Sequence, residues 1–143
     1  MGTIISLNIS QEKGVNKEPV DQVELKINHG MVGDAHAGDW HRQVSLLAEE
    51  SIAVMRSHGL ELDPGAFAEN ITTEGLELAT LPIGTRLTNG QVILEVTQIG
   101  KKCHHGCAIF KQVGDCIMPR EGIFAKVVAP GSLRRGDSLD ILK

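Results

Sequence analysis

Short β-branched segments separated by turn residues dominate this sequence, and they limit the folds that it can adopt. The predicted strands occupy residues 3–9, 20–27, 42–48, 86–88, 91–99, 122–129 and 138–142, with a further short strand in PGAFAENITTEG. A turn at Asn89 and Gly90 joins two of them in a hairpin. Many short strands with closely spaced turns indicate a mainly β (α+β) fold, a barrel-like domain with one or two short helices.

One segment has helical rather than strand spacing. In residues 48–58, AEESIAVMRSH, the apolar residues Ile52 and Met55 recur at helical spacing. Acidic residues occupy the first turn, and Arg56 and His58 occupy the last, as the helix dipole favours. The pattern therefore predicts a helix over this segment.

Length and composition exclude several classes of protein. A chain of 143 residues is expected to form one domain, residues 1–143. A net charge of −4 and an aromatic content of 3% argue against a nucleic-acid partner, and dinucleotide-binding and P-loop motifs are absent from the sequence. Because no apolar run approaches bilayer length and no signal sequence is evident, we expect a cytoplasmic protein with no membrane partner, whose three cysteines are thiols.

The densest chemical cluster is KKCHHGC, which follows the predicted strand 91–99. Lys101 and Lys102 favour the thiolate of Cys103 by placing positive charge beside it. The thiolate is the form of cysteine that attacks sulfur or binds a metal. The cluster therefore predicts sulfur or metal chemistry at Cys103.

Two other interpretations of this cluster stay open. Free cysteines are often small buried residues, so Cys103 and Cys107 could simply fill space. Alternatively, a tetrahedral zinc site could take its ligands from Cys103, Cys107, Cys116 and either His104 or His105. The spacing supports zinc weakly, since no second well-spaced pair follows the first.

Three further segments carry candidate binding residues. The loop GDAHAGDWHR contains His36 and Arg42, and its histidines, aspartates and arginine either bind a metal, clamp an anion or anchor the loop. In ENITT, Asn70 and Thr72 either hydrogen-bond a polar heterocycle or close a turn. Arg120, in PREG, is either an anion ligand or a solvated turn residue.

Taken in order, the motifs of this chain resemble the MOSC family, which is named after the C-terminal domain of molybdenum cofactor sulfurases. The ordered set is G-D-x-H-x-G, H-R-Q-V-S-L, G-x-F-x-E-N-I-T-T-x-G, P-I-G-T, V-T-Q-x-G-K-x-C-H-x-x-C, P-R-E-G-I-F-A-K-V and G-x-L-x-x-G-D. The chain is similar to the small stand-alone class. The resemblance implies a β-rich, barrel-like fold and a role in binding, sulfurating or using the molybdenum cofactor.

The resemblance also implies roles for individual residues. Cys103 corresponds to the family's functional thiol, which carries sulfur as a persulfide in sulfurase-type members and binds molybdenum in amidoxime-reducing relatives. Thiol-exchange chemistry, rather than the resemblance, suggests Cys107 as a resolving or assisting second catalytic thiol. The residues expected to hold the molybdenum cofactor (molybdopterin) are Lys101, Lys102, His36, Arg42, Asn70, Thr72 and Arg120.

The resemblance also implies partner proteins, because sulfur abstraction and use of the cofactor are steps for other proteins. Full sulfurases abstract sulfur from cysteine with a pyridoxal-phosphate domain, to which nothing in these 143 residues corresponds. We therefore expect a cysteine desulfurase, with its pyridoxal phosphate, or another sulfur donor as one partner, and a molybdoenzyme or cofactor-biosynthesis protein as the other. The alternatives are a non-catalytic module that binds or delivers molybdenum cofactor, with Cys103 as a metal ligand only, and a zinc-stabilised β domain.

Overall fold

The computed structural model of the protein describes residues 2–10, 18–34, 37–38, 40, 43–56, 69–99 and 122–142. The elements within these ranges are, in chain order, β1 (Gly2–Ile9), β2 (Glu18–Val20), β3 (Gln22–Lys26), β4 (Gly30–Met31), β5 (Val44–Ala48), α1 (Glu49–Arg56), β6 (Ile71–Glu74), a 3-10 helix (Leu78–Thr80), β7 (Arg86–Thr88), β8 (Ile93–Ile99), β9 (Ile123–Ala129), β10 (Gly131–Arg134) and β11 (Ser138–Leu142). Strands therefore dominate the described residues.

Seven of the strands close into a barrel. Neighbouring strands are hydrogen-bonded in the order β11, β7, β8, β9, β5, β6 and β1, and β1 pairs with β11 to complete the circle. The neighbours run antiparallel except for β5 and β6, which run parallel. The predicted mainly β, barrel-like fold is confirmed.

Aliphatic side chains fill the barrel. Because successive residues of a strand point to opposite faces, Leu94 and Val96 of β8 point inward while Glu95 between them points outward. The core cluster of the described residues consists of Ile, Leu, Val, Ala and Met. Burial of each large aliphatic side chain stabilises the fold by about 1.5–3 kcal/mol.

A second, three-stranded sheet has the order β10, β3, β4. The sequence predicts one strand over 20–27, but a bend occurs at Asp21. Val20 ends β2, which begins before the predicted range and pairs with β1, whereas Gln22–Lys26 form β3, which joins this second sheet. The division occurs because Val23 and Leu25 are buried there, with Val23 directly opposite Leu133 of β10. The sequence does not predict the short strands β4 and β10.

Helix α1 confirms the predicted helix over a shorter span, Glu49–Arg56 instead of 48–58. The predicted C-terminal residue His58 lies outside the described residues. The carboxylate of Glu50 accepts a hydrogen bond from the backbone N–H of Gly75 at 2.8 Å, which ties the first helical turn to the end of β6. Among the described helices, none is long and apolar enough to cross a bilayer.

The predicted hairpin of β7 and β8 is also confirmed, with a connection of residues 89–92. Asn89 Oδ1 accepts hydrogen bonds from the backbone N–H groups of Gln91 at 3.0 Å and Val92 at 2.9 Å. Gly90 has a φ of +102°, which favours glycine. The Asn-Gly pair therefore shapes the turn as the sequence predicts.

Candidate functional site

Buried polar side chains distinguish one side of the barrel. Those in the described residues are Ser6, Asn8, Ser10, Asp34, Gln43, Ser45, Glu69, Asn70, Thr72 and Thr73. They come from β1, β5 and β6 and from the segments that lead into β5 and β6. Because a buried polar atom without a hydrogen-bond partner is costly, the contacts of these side chains indicate which of them are structural.

Three of these residues lie side by side across β1, β6 and β5, and we call Asn8, Asn70 and Ser45 the amide row. Asn70 Oδ1 accepts hydrogen bonds from the backbone N–H and the hydroxyl of Ser45, at 2.9 and 3.1 Å. Asn70 Nδ2 donates to the backbone carbonyl of Asn8 at 3.1 Å. The row faces outward, since the adjacent Leu7 and Ile71 belong to the core.

Backbone hydrogen bonds hold the same three residues together. The N–H of Asn8 donates to the carbonyl of Asn70 at 2.7 Å, and the N–H of Asn70 donates to the carbonyl of Ser45 at 2.9 Å and to its hydroxyl at 3.0 Å. Asn70 therefore contacts both of its neighbours through main chain and side chain. It joins the strands just before β6 begins.

The amide row continues onto the strands that lead to Cys103. Ser45 lies opposite Phe124 of β9, and Phe124 lies opposite Gln98 of β8, so these residues share a face. Residues 100–121, which are outside the described residues, begin two positions after Gln98 and end three positions before Phe124. Both ends of the segment that contains Cys103 are thus attached beside the amide row.

Two carboxylates belong to the buried set. Glu69 is fully buried, and its Oε2 accepts a hydrogen bond from the hydroxyl of Thr72 at 2.9 Å. Asp34 Oδ1 accepts a hydrogen bond from the backbone N–H of Ser10 at 3.0 Å. The formal charges within the buried set are therefore negative, so the cations needed to bind a phosphate must come from other residues.

The hydrogen bond between Ser10 and Asp34 connects the end of β1 to the start of the loop GDAHAGDWHR, residues 33–42. The carbonyl of Asp34 accepts from the N–H of Ala37 at 3.1 Å, and the N–H of Gly38 donates to the carbonyl of His29 at 2.6 Å. Together with the bond to Ser10, these contacts hold the described parts of the loop against β1 and the turn before β4.

Apart from Asp34, the buried oxygens without a hydrogen-bond partner in the described part of the chain are four, namely Asn8 Oδ1, Ser10 Oγ, Thr73 Oγ1 and, on β11, Asp140 Oδ1. An unsatisfied buried acceptor or donor costs about 1–3 kcal/mol. Such atoms are normally satisfied by a ligand, an ion or an ordered water. Asn8 belongs to the amide row, and Ser10 follows two positions later, directly after the end of β1.

Comparison with known proteins identifies the family. A family model described as MOSC domain matches residues 33–140, well over half of the chain. The chain belongs to the MOSC family. The resemblance predicted from the ordered motifs is therefore confirmed, and the matched residues of this MOSC domain include the amide row residues Ser45 and Asn70 as well as Cys103. No curated protein matches the chain.

The MOSC barrel is also similar to solved structures. The YuaD protein from Bacillus subtilis is 18% identical, with 99% of this chain and 96% of that chain covered and a TM-score of 0.82. YiiM from Geobacillus stearothermophilus is 19% identical, with 100% and 76% covered and a TM-score of 0.73. YiiM from Escherichia coli is 20% identical, with 100% and 70% covered and a TM-score of 0.71. At these identities the likeness shows the fold.

Of the site residues predicted for this MOSC domain, Asn70 and Thr72 lie in the buried set. Their side chains contact Ser45, Asn8 and Glu69 in the ways given above, and their role toward a cofactor stays a prediction. In the described ranges, no group of three or more His, Cys, Asp or Glu side chains could hold a metal. The predicted residues outside the described ranges are His36, Arg42, Lys101, Lys102, Cys103, His104, His105, Cys107, Cys116 and Arg120.

Sequence reasoning missed the buried polar residues of β1 and β5, which are Ser6, Asn8 and Ser45, and Ser10, which directly follows β1. A signal for them exists in SLNIS, where small neutral polar residues alternate with leucine and isoleucine. Exposed strand faces more often carry charged side chains, which are rarely buried. Serine and asparagine in those positions thus indicate an outward face that is covered.

Proposed function

We propose that this protein carries sulfur to the molybdenum cofactor, with Cys103 as the carrier thiol and the cofactor as the substrate. The observation that carries the proposal is the MOSC family match over residues 33–140, which includes Cys103 and its two neighbouring lysines. The attachment of segment 100–121 beside the amide row supports it, because a buried polar surface is suited to a polar heterocycle.

Loading of Cys103 is a thiol exchange with a persulfide on the donor protein. The Cys103 thiolate attacks the outer sulfur of the donor persulfide, and a new S–S bond forms at Cys103. The donor's own S–S bond breaks, and its cysteine leaves as a thiolate. Lys101 and Lys102 favour the attacking thiolate by their positive charge. The donor is a cysteine desulfurase or a protein loaded by one.

Transfer to the cofactor requires a second thiol, since the carried sulfur must gain two electrons to become sulfide. The outer sulfur of the Cys103 persulfide bonds to molybdenum in place of an oxygen ligand, which leaves as water after taking up two protons. The Cys107 thiolate attacks Cys103 Sγ, and the breaking S–S bond leaves its electron pair on the transferred sulfur. Cys103 and Cys107 become a disulfide, which a dithiol reductant returns to thiols.

The residues available around the amide row fit the pterin part of this substrate. Neutral amides and hydroxyls hydrogen-bond a pterin ring, and two buried oxygens at the end of β1, of Asn8 and Ser10, have no protein partner among the described residues. The phosphate of the substrate requires cations, and we assign its binding to Lys101, Lys102, Arg42 and Arg120, together with His36. Because reduced thiols are maintained in the cytoplasm, the proposal includes a cytoplasmic location.

The carrier role is tested by loading the protein with sulfur. The protein is incubated with a cysteine desulfurase, pyridoxal phosphate and cysteine, and its intact mass is measured without reductant. We expect the mass of one added sulfur atom on the wild-type protein and on Cys116→Ala, which is the matched cysteine control. We expect none on Cys103→Ala.

Two results would overturn this role. Either no sulfur is added to the wild-type protein, or the same amount is added to Cys103→Ala. If molybdenum cofactor binds in the same preparation while no persulfide ever forms, the protein is a binding or delivery module. The Cys107→Ala variant separates the two half-reactions, since we expect it to accept sulfur but not to transfer it.

A further inference from the structure

The strongest unexplained feature of the described residues is a pair of unsatisfied oxygens at the end of β1. Asn8 is fully buried and Ser10 is 5% exposed, yet Asn8 Oδ1 and Ser10 Oγ have no hydrogen-bond partner in the described residues. Asn8 lies on the outward face of β1, and Ser10 is the residue that directly follows the strand, two positions further along the chain. These two oxygens therefore mark a site at which the described residues supply no hydrogen-bond donor.

The other polar atoms of Asn8 and the backbone N–H of Ser10 have protein partners, which leaves the two side-chain oxygens available. The backbone N–H and carbonyl of Asn8 are bonded to Asn70, and Asn8 Nδ2 donates to the hydroxyl of Ser6 at 3.2 Å. The backbone N–H of Ser10 donates to Asp34 Oδ1. Asn8 is therefore held with its amide nitrogen toward Ser6, and the carboxylate of Asp34 is held next to Ser10.

The chemistry of this place favours a ligand with N–H groups. An amide oxygen accepts hydrogen bonds but cannot donate them, and a hydroxyl can accept as well. The carboxylate of Asp34, which accepts a hydrogen bond from the N–H of Ser10, is likewise a group that accepts but does not donate.

We propose that Asn8 and Ser10, beside Asp34, form a subsite that accepts the N–H edge of an aminopyrimidinone ring, the donor edge of a pterin. The inference rests on the proposed function, because the pterin belongs to the molybdenum cofactor. The subsite selects the 2-amino group and the adjacent ring N–H. Because its acceptors are already withdrawn from water, each hydrogen bond formed there is stronger than in solvent.

The subsite is tested with two fluorescent ligands that differ at one position. Pterin carries an amino group at carbon 2, whereas lumazine carries an oxygen there. We expect fluorescence titration of the wild-type protein to give a dissociation constant for pterin at least about tenfold below that for lumazine, because an acceptor site leaves the lumazine oxygen unpaired. Equal affinities, or tighter binding of lumazine, would overturn the proposal.

A single substitution tests the residue assignment. Ser10→Ala removes a buried oxygen that makes no hydrogen bond to a described residue, so the melting temperature should equal or exceed that of the wild-type protein. The same substitution should weaken pterin binding roughly fivefold to tenfold while lumazine binding changes little. Ser138→Ala, at an exposed position of β11, is the matched control and should change neither. Unchanged pterin binding by Ser10→Ala would mean that a buried water fills the place, and would overturn the proposal.

Sulfur loading of Cys103, measured by intact mass on the same proteins, separates this inference from the proposed function. Loading requires the donor and the thiol but no pterin. If the wild-type protein loads sulfur but shows no preference for pterin over lumazine, the subsite is wrong and the carrier role stands. If pterin is selected but sulfur is never accepted, the carrier role is wrong and the subsite stands.

Discussion

Two rows of side chains lie on the outward face of the same barrel, each across three neighbouring strands. The rows differ in charge and in burial. The amide row, Asn8, Asn70 and Ser45, crosses β1, β6 and β5, and its members are neutral and buried. The second row, which we call the ion row, crosses β7, β8 and β9 with Arg86, Glu95 and Lys126 in register. The arginine and lysine side chains of the ion row are about half exposed, at 48% and 49%.

The difference shows that solvent exposure determines which polar groups are tolerated on the outer face of a barrel. Charges in the ion row keep much of their hydration, so their ion pairs add little to stability. Groups in the amide row are buried and cannot hydrogen-bond bulk water, so each one needs a hydrogen-bond partner in the protein or in a ligand. The unsatisfied oxygens Asn8 Oδ1 and Ser10 Oγ lie on the buried side, and that is where we place a binding function.

The largest effect should come from breaking the amide row at its centre. Asn70→Ala leaves the backbone N–H and hydroxyl of Ser45 and the carbonyl of Asn8 without their side-chain partner. We expect the free energy of unfolding in urea to fall by about 3 kcal/mol or more, the sum expected for several buried groups that lose a hydrogen bond.

Arg86→Ala in the ion row is the matched comparison for this substitution. It removes the Arg86 Nε bond to Glu95 at 3.2 Å, and we expect it to cost less than about 1 kcal/mol. If the two substitutions destabilise the protein equally, burial does not separate the two rows, and the structural role of Asn70 is wrong.

A smaller effect is expected next to the amide row, where two backbones approach closely. Gly30 of β4 has a φ of +110°, and a Cβ at this position would lie 2.7 Å from the carbonyl oxygen of Gln43, two residues before Ser45. Gly30→Ala should therefore cost roughly 2–3 kcal/mol, through backbone strain together with a clash that neither backbone can relieve cheaply.

Gly90→Ala is the control for backbone strain alone. Gly90 has a similar φ of +102°, but nothing lies within 4 Å of its added Cβ. We expect a loss of roughly 1 kcal/mol, which thermal or urea unfolding can resolve from the larger value. Equal losses at the two glycines would show that the close approach to Gln43 does not constrain the entry into β5.

Local features of this fold could be predicted from the sequence because their causes lie within a few residues. The hairpin of β7 and β8 follows from Asn89 and Gly90, whose side chain and positive φ shape the turn. Helix α1 follows from the spacing of apolar residues such as Ile52, which is buried. The ordered motifs likewise predict the family that the comparison confirms.

Features that depend on distant pairing could not be predicted. The parallel pairing of β5 with β6 and the division of residues 20–27 between two sheets depend on partners far along the chain. The contact of Asn70 with Asn8 joins residues 62 positions apart. Sequence reasoning could therefore name Asn70 as either a ligand or a structural residue, but it could not indicate that its amide joins three strands.

The smallest effect is expected at the centre of the ion row, and its dependence on pH distinguishes the two rows. The hydrogen bond from Arg86, together with the positive charge of Lys126, holds the pKa of Glu95 below its ordinary value of 4.5, and partial burial opposes this shift. Because the folded pKa is lower than the unfolded one, the ionised carboxylate stabilises the fold above the unfolded pKa, and this contribution is lost as the pH falls through the folded pKa.

Glu95→Gln should therefore lower the free energy of unfolding by less than about 1 kcal/mol at neutral pH. The difference from the wild-type protein should shrink as the pH falls below 4.5, and also as salt is added at neutral pH. The loss caused by Asn70→Ala should keep its size when salt is added, because the groups that it leaves unpaired are neutral and buried. Urea unfolding of both variants at neutral and acidic pH and at two salt concentrations checks this contrast. A salt-independent loss at Glu95 would mean that its stabilisation comes from hydrogen bonding and packing, as in the amide row, rather than from screened charges.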